Sequence, residues 1–244
     1  MNTQFDTLAM MVGFDMKYMI LMAVCAGVSF IVSSVLKSRF KKFSKVPVAL
    51  SGAEIAHKML VDNNITDVQI ISTPGQLTDH YNPMNKTVNL SEVVYHERNA
   101  AAAAVAAHEV GHAIQHATSY SALKMRSALV PLLSFGSGMA PMIIMVGLFL
   151  MGAQMLPGLA TPITLIGIAL FGVTTLFSFV TLPVEFDASA RALRWIQTSG
   201  VMGTMERSKA RSALNAAAMT YVVAALTSLA QLVYFISLFL NRRD

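Results

Sequence analysis

Charge is what this chain of 244 residues has least of. Asp, Glu, Lys and Arg make up only 13% of it, against roughly 25% in an average soluble domain. Cysteine is almost absent as well. Cys25 is the single one, so no intrachain disulfide can form and a disulfide-stapled scaffold is excluded. Hydrophobic residues reach 55% and mean hydropathy is +0.56, which excludes disorder and a nucleic-acid-binding domain as readings of the whole chain. The composition predicts an integral membrane protein. In such a protein a net charge of +5 reports topology before it reports partners, because Lys and Arg gather in cytoplasmic loops.

Long uncharged runs take the place of charge. Tyr18 to Leu36, Ser127 to Val184 and Ser212 to Asn241 carry no Asp, Glu, Lys or Arg. A membrane helix needs about 20 apolar residues. The first and third runs fit one crossing each, and the middle run fits two with a turn near Gln154, Pro157 and Gly158. Four spans are predicted, at 18–36, 129–152, 159–182 and 218–240. Met1 to Met16 has two Asp and no Lys or Arg, and the apolar run after it is too long, so a cleaved signal is not expected. Val24 before Cys25 also argues against a lipoprotein site.

Fifteen Lys and Arg fall in segments 37–126 and 185–211, and only Lys17, Arg242 and Arg243 fall on the other side. That asymmetry predicts both basic segments in the cytoplasm and both termini outside. The basic cluster at 37–45 is read as an anchor on anionic headgroups rather than a nucleic-acid site.

Within 37–126, Ser51-Gly52-Ala53-Glu54 reads as a capping box opening a helix over about 52–62. Short strands are expected at 67–71 and 87–90, separated by a turn-rich stretch, 74–83. Asn99 caps the Ala100–Ala104 run, a strong helix start.

That helix carries His108-Glu109-Val110-Gly111-His112. Residues four apart share one helical face, so the two histidines can hold one ion. Glu109 is turned by about 100° and can act as a base without being a ligand. Two imidazoles and one carboxylate suit zinc and leave a position open. Gly111 costs about 1 kcal/mol against Ala inside a helix, which points to close approach of another backbone. The third ligand is expected to be Glu185. Two crossings separate it from His112, so both lie on one side of the membrane. A third His six residues after His112 is lacking, since Thr118 stands there, and His116 is placed beside the site rather than in it. Asp187 is read as a supporting carboxylate. Tyr81, His80, Tyr95 and Arg191 remain open as donors to an oxyanion. The helix must break before the second span, and Thr118 to Ser121 is the place.

The stretches Leu77–Pro83, Leu90–His96, Ala106–Ala117, Arg126–Pro131, Leu182–Ser189 and Ala216–Val222, spread over nearly the whole chain, are familiar together. The chain resembles the YugP-like neutral zinc metallopeptidases, bacterial multi-pass membrane proteins. The resemblance implies a membrane-embedded zinc peptidase with His108 and His112 as ligands and Glu109 as base. A looser likeness to gluzincin-type proteases such as HtpX implies Glu185 as the third ligand. Those enzymes carry Asp four residues after that Glu, where this chain has Ser189.

The fold expected is therefore mainly α: four membrane helices and a cytoplasmic α+β, zincin-like catalytic segment. Its parts are the span 18–36, the catalytic segment 37–126, the hairpin 127–184, a cytoplasmic helix in 185–211 and the last span 218–240. The expected function is a zinc-dependent endopeptidase in a bacterial inner membrane, acting on membrane or juxtamembrane polypeptides. The lipid bilayer is its other partner, and no nucleic acid is expected. A catalytically idle zinc protein that scaffolds a membrane assembly is the alternative. A metal transporter fits worst, because no acid or His lies inside any span.

Overall fold

The computed structural model describes residues 16–136 and 138–243. The N-terminal stretch used above to argue against a signal peptide lies outside them. Helices dominate: α1 Met16–Phe43, α2 Gly52–Asp62, α3 Glu92–His96, α4 Ala100–Ala117, α5 Ser121–Gly136, α6 Ala140–Gly152, α7 Pro157–Thr198 and α8 Thr204–Arg243. Three strands, β1 Gln69–Thr73, β2 His80–Asn82 and β3 Thr87–Ser91, form one small sheet.

Among the described residues, three helices are long and apolar enough to cross a membrane: Met16–Phe43, Gly158–Thr198 and Thr204–Asn241. They contain the expected spans 18–36, 159–182 and 218–240. The run expected to span at 129–152 is two helices, α5 and α6. Gly136 and Gly138 weaken helix continuation there, and Pro141 begins the new helix at a position where its missing N–H costs nothing. The turn expected near Gln154 lies between α6 and α7, with Pro157 opening α7.

The expected helix in 185–211 is also divided differently. α7 continues through Pro183 to Thr198, the chain turns at Gly200 with φ +70°, and α8 begins at Thr204. Helices in an apolar medium tolerate proline because neighbouring groups satisfy the freed carbonyl.

The chain forms two compact units. The described part of the first is 16–30, 126–136, 138–180 and 222–243. Its core joins Ala140, Ile144, Leu148, Phe171, Phe235 and Phe239. α6 and α7 approach on small residues, since a Cβ at Gly147 would stand 2.7 Å from the Thr164 amide nitrogen. Thr175 and Ser228 hydroxyls pair at 2.8 Å between α7 and α8. Small-residue approach and a polar bond between helices are how helices associate where lipid removes the hydrophobic driving force.

The second unit takes 31–125 and 181–221. Its capping box forms as expected, with Ser51 accepting from the Glu54 amide and Glu54 reaching back. In the sheet β3 lies between β1, parallel to it, and β2, antiparallel. β3 is buried throughout. α4 runs through the core: Ala100 to Ala104, Ala106, Ala107 and Val110 are all buried, against Ile55, Met59, Leu90, Val94 and Ile196 among others. A helix apolar on all sides must be surrounded, and alanine's short side chain lets its neighbours come close. Asn99 caps it by accepting from Ala102 N–H at 2.9 Å. The expected break is present: α4 ends at Ala117, Ser119 has φ +55°, and α5 starts at Ser121.

β2 was not expected as a strand. It has three residues, too few for alternation to show. It is held by pairing to β3 and by Asp79, whose carboxylate accepts from the Ser91 amide at 2.8 Å.

Candidate metal centre

The centre lies within the second unit and is built by α4 and α7. The rings of His108 and His112 stand edge to face on one side of α4, centroids 4.8 Å apart. Gly111 admits α7 against that helix. A Cβ at Gly111 would lie 2.6 Å from the Ala188 carbonyl oxygen and 3.1 Å from its Cα, so only glycine permits this approach. Glu185, three residues before Ala188, is thereby brought to the histidines.

Glu185 is 2% exposed. Its Oε2 lies 3.2 Å from His108 Nε2 and 3.6 Å from His112 Nε2. Candidate ligand atoms of the three residues all lie within 4.8 Å of one another. A tetrahedral ion with bonds near 2.05 Å spaces its donors about 3.3 Å apart. Donor types and spacing both fit zinc, and three protein ligands leave one position for water or substrate.

Each imidazole is supported at its other nitrogen. Ser189 Oγ lies 3.1 Å from His108 Nδ1, and Gln115 Oε1 lies 3.0 Å from His112 Nδ1. Gln115 is fully buried. Its amide donates to the Val184 carbonyl at 2.7 Å and to Asp187 Oδ2 at 2.9 Å. Arg191 Nε donates to the same Asp187 oxygen at 2.6 Å.

Glu109 is buried beside the ligands. The Tyr81 main-chain amide lies beside it and favours its ionised form weakly. Burial pushes its pKa up to about 7. His108 pulls against that shift, and Glu185 and Asp79 add to it.

A profile of the family described as "Putative neutral zinc metallopeptidase" matches residues 18–240. The chain belongs to this family. It is also 43% identical over 231 residues to the "Putative membrane protease YugP" of Bacillus subtilis (strain 168), covering 94% of this chain and 99% of that protein. No solved structure matches significantly. The similarity to a membrane protease and the three apolar helices agree in making this a membrane protein.

The zinc metallopeptidase family gives the geometry its context. His108, His112 and Glu185 converge as expected. Of the four open oxyanion donors, Tyr81 is the one whose main chain meets Glu109; its hydroxyl is bonded to His116 Nδ1 at 2.7 Å. Arg191 is engaged with Asp187. His80 Nδ1 bonds to the Thr78 carbonyl at 2.7 Å, and Tyr95 stacks edge-on against His96. Ser189 stands behind His108, in the place where gluzincins carry Asp. Asp187 supports His112 through Gln115 instead of touching it.

Sequence reasoning missed Gln115. Its signal was spacing alone: it follows His112 by three residues and so shares that helical face. A cavity of about 480 Å³ also opens in this unit, lined by Met59, Asp62, Ile114, Arg191 and Trp195 among others. Neither the three converging residues nor Glu109 lines it.

Proposed function

We propose that this protein is a membrane-embedded zinc endopeptidase that hydrolyses peptide bonds of membrane or juxtamembrane segments at the cytoplasmic face of a bacterial inner membrane. The observation that carries the reading is one buried cluster: two imidazole nitrogens and a carboxylate converging at ligand spacing, with a second carboxylate at their side. A structural zinc site needs four protein ligands and no base. The presence of Glu109 therefore favours a peptidase over an idle scaffold.

His108, His112 and Glu185 would hold the ion. When bound, zinc supplies a Lewis acid that polarises the scissile carbonyl and acidifies a water. Glu109 takes the proton of the attacking water at its carboxylate and delivers it to the leaving amine nitrogen. β2 is the sheet edge beside Glu109, so an extended substrate would add there as a further strand.

Topology follows from charge and length. α1, α7 and α8 each supply one crossing. At 13 residues, α6 is about 20 Å long, short of a hydrocarbon core of about 30 Å. α5 and α6 together would then supply the remaining crossing, giving four. The excess of Lys and Arg in 37–126 and 185–211 supports a cytoplasmic centre with both termini outside.

The test is metal analysis of the purified protein beside Glu109→Gln and Glu185→Ala, each assayed on membrane peptides. Glu109→Gln should keep zinc and lose about 10²–10⁴ in rate. Glu185→Ala should lose stoichiometric zinc. Equal hydrolysis by wild type and Glu109→Gln would refute the reading. Full zinc in Glu185→Ala would refute the third ligand.

A further inference from the structure

We infer that Gln115 is the positioning residue that decides which nitrogen His112 presents to the metal, acting as a relay between Asp187 and the imidazole. The inference rests on the zinc reading above and assigns a role within that site.

The chemistry of its partners orients the Gln115 amide. The Val184 carbonyl can only accept, and so can the Asp187 carboxylate, which already takes a hydrogen bond from Arg191 on the same oxygen. The amide NH2 must face those two acceptors. Its oxygen therefore faces His112 Nδ1 at 3.0 Å. An amide oxygen cannot donate, so the proton of this contact sits on Nδ1. A neutral imidazole protonated at Nδ1 keeps its lone pair on Nε2, the nitrogen that faces Glu185 Oε2. With the Nδ1 proton held by Gln115, Nε2 is the nitrogen left for the metal, and the only proton an arriving ion need displace there is one shared with Glu185 Oε2.

The same side chain grips the other helix. Val184 precedes Glu185, so the bond to its carbonyl fixes the main chain that carries the third ligand. One buried amide sets His112 on α4 and the approach of Glu185 on α7.

His108 has no such lock. Its Nδ1 partner is the Ser189 hydroxyl, which can donate or accept and so suits either tautomer. The two histidines are therefore unequal: His112 is the preset ligand and His108 the adaptable one.

The experiment uses the full chain in detergent with isotope-labelled histidine. The nitrogen shifts of His112, identified by the signal lost in His112→Gln, report its tautomer in the metal-free protein. A competing chelator reports zinc affinity. Wild-type His112 should be protonated at Nδ1. Gln115→Met, close in size but without hydrogen bonds, should move the proton toward Nε2 and weaken zinc binding about 10–100-fold. Ser189→Ala should weaken it less and leave the His112 shifts in place. A wild-type His112 without a proton on Nδ1, or unchanged zinc affinity in a folded Gln115→Met, would overturn the inference. If Gln115→Met does not fold, the wild-type tautomer and the Ser189→Ala comparison still decide it. A wild type that binds no zinc would sink the peptidase reading, while the tautomer signal would judge the relay by itself.

Discussion

Gly111→Ala separates packing from metal binding. The new Cβ would stand 2.6 Å from the Ala188 carbonyl oxygen, where ordinary contact begins at 3.4 Å. The obstacle is backbone, so no side chain can swing aside. α4 and α7 must part by about 0.8 Å, the gap between those two distances. Overpacking of this kind costs about 1–3 kcal/mol, and the gain in helix propensity on replacing Gly with Ala offsets about 1 kcal/mol. Net stability should therefore fall by no more than about 2 kcal/mol. The metal centre has no such compensation. Its donors lie 3.2 and 3.6 Å apart across this helix contact, and ligand distances tolerate only about 0.2 Å. Zinc affinity should drop far more than fold stability. The assay is zinc competition with a chelator on the variant, beside thermal unfolding of the metal-free protein. Wild-type zinc affinity in Gly111→Ala would refute the view that this close approach sets the ligand geometry. A parallel loss of both would mean that the helix contact serves the fold alone.

The acid limb of kcat/KM should lie at or below about pH 7. Burial raises Glu109 to about 7, a nearby dication lowers it again, and the base works only when ionised, so rate rises with pH through that value; a limb above pH 8 would refute Glu109 as the base. Trp195→Phe should destabilise the fold by up to about 1 kcal/mol at neutral pH, because the indole N–H donates to the Asp62 carboxylate at 2.8 Å and that carboxylate is 34% exposed, so solvent screens the bond. That indole bond, with Lys58 adding to it, holds the Asp62 pKa down. The difference between wild type and variant should therefore be present above the ordinary carboxylate range and shrink as pH falls through the lowered value; a difference that is flat in pH during urea unfolding would contradict this. In a Cys25→Ser background, Met84→Cys, at a position 92% exposed, should resist impermeant thiol reagents in intact cells and react after lysis, whereas Asn241→Cys should react from outside. The reverse labelling would move the centre out of the cytoplasm.

What could be read in advance depended on whether a signal lies along the chain or across it. Spans, caps and the paired histidines are local patterns: uncharged runs, Ser51 three before Glu54, His108 four before His112. Glu185 was reachable because topology is counted along the chain too. Gly111 gave a reason to expect a close neighbour without naming it, and Ala188 is that neighbour. The broken second span was harder, because an apolar run states hydropathy and not continuity. Gly136, Gly138 and Pro141 stood in it, but each is tolerated in many membrane helices.

Gln115 shows where reading along the chain stops. A glutamine on an alanine-rich helix is unremarkable until α7 turns the Val184 carbonyl and Asp187 toward it, from 69 and 72 residues away. Burying an amide is unfavourable unless each of its groups finds a partner, and here three partners meet it. Two of them belong to the helix that brings Glu185. The residue that orients one ligand is thus the residue that holds the other ligand's helix, and a change at either end should be felt at both. The departure at Ser189 fits this arrangement. Ser189 stands behind His108, and the carboxylate two residues earlier, Asp187, reaches the other histidine through the Gln115 amide. Each histidine is thus supported from α7, His108 directly by Ser189 and His112 at one remove by Asp187.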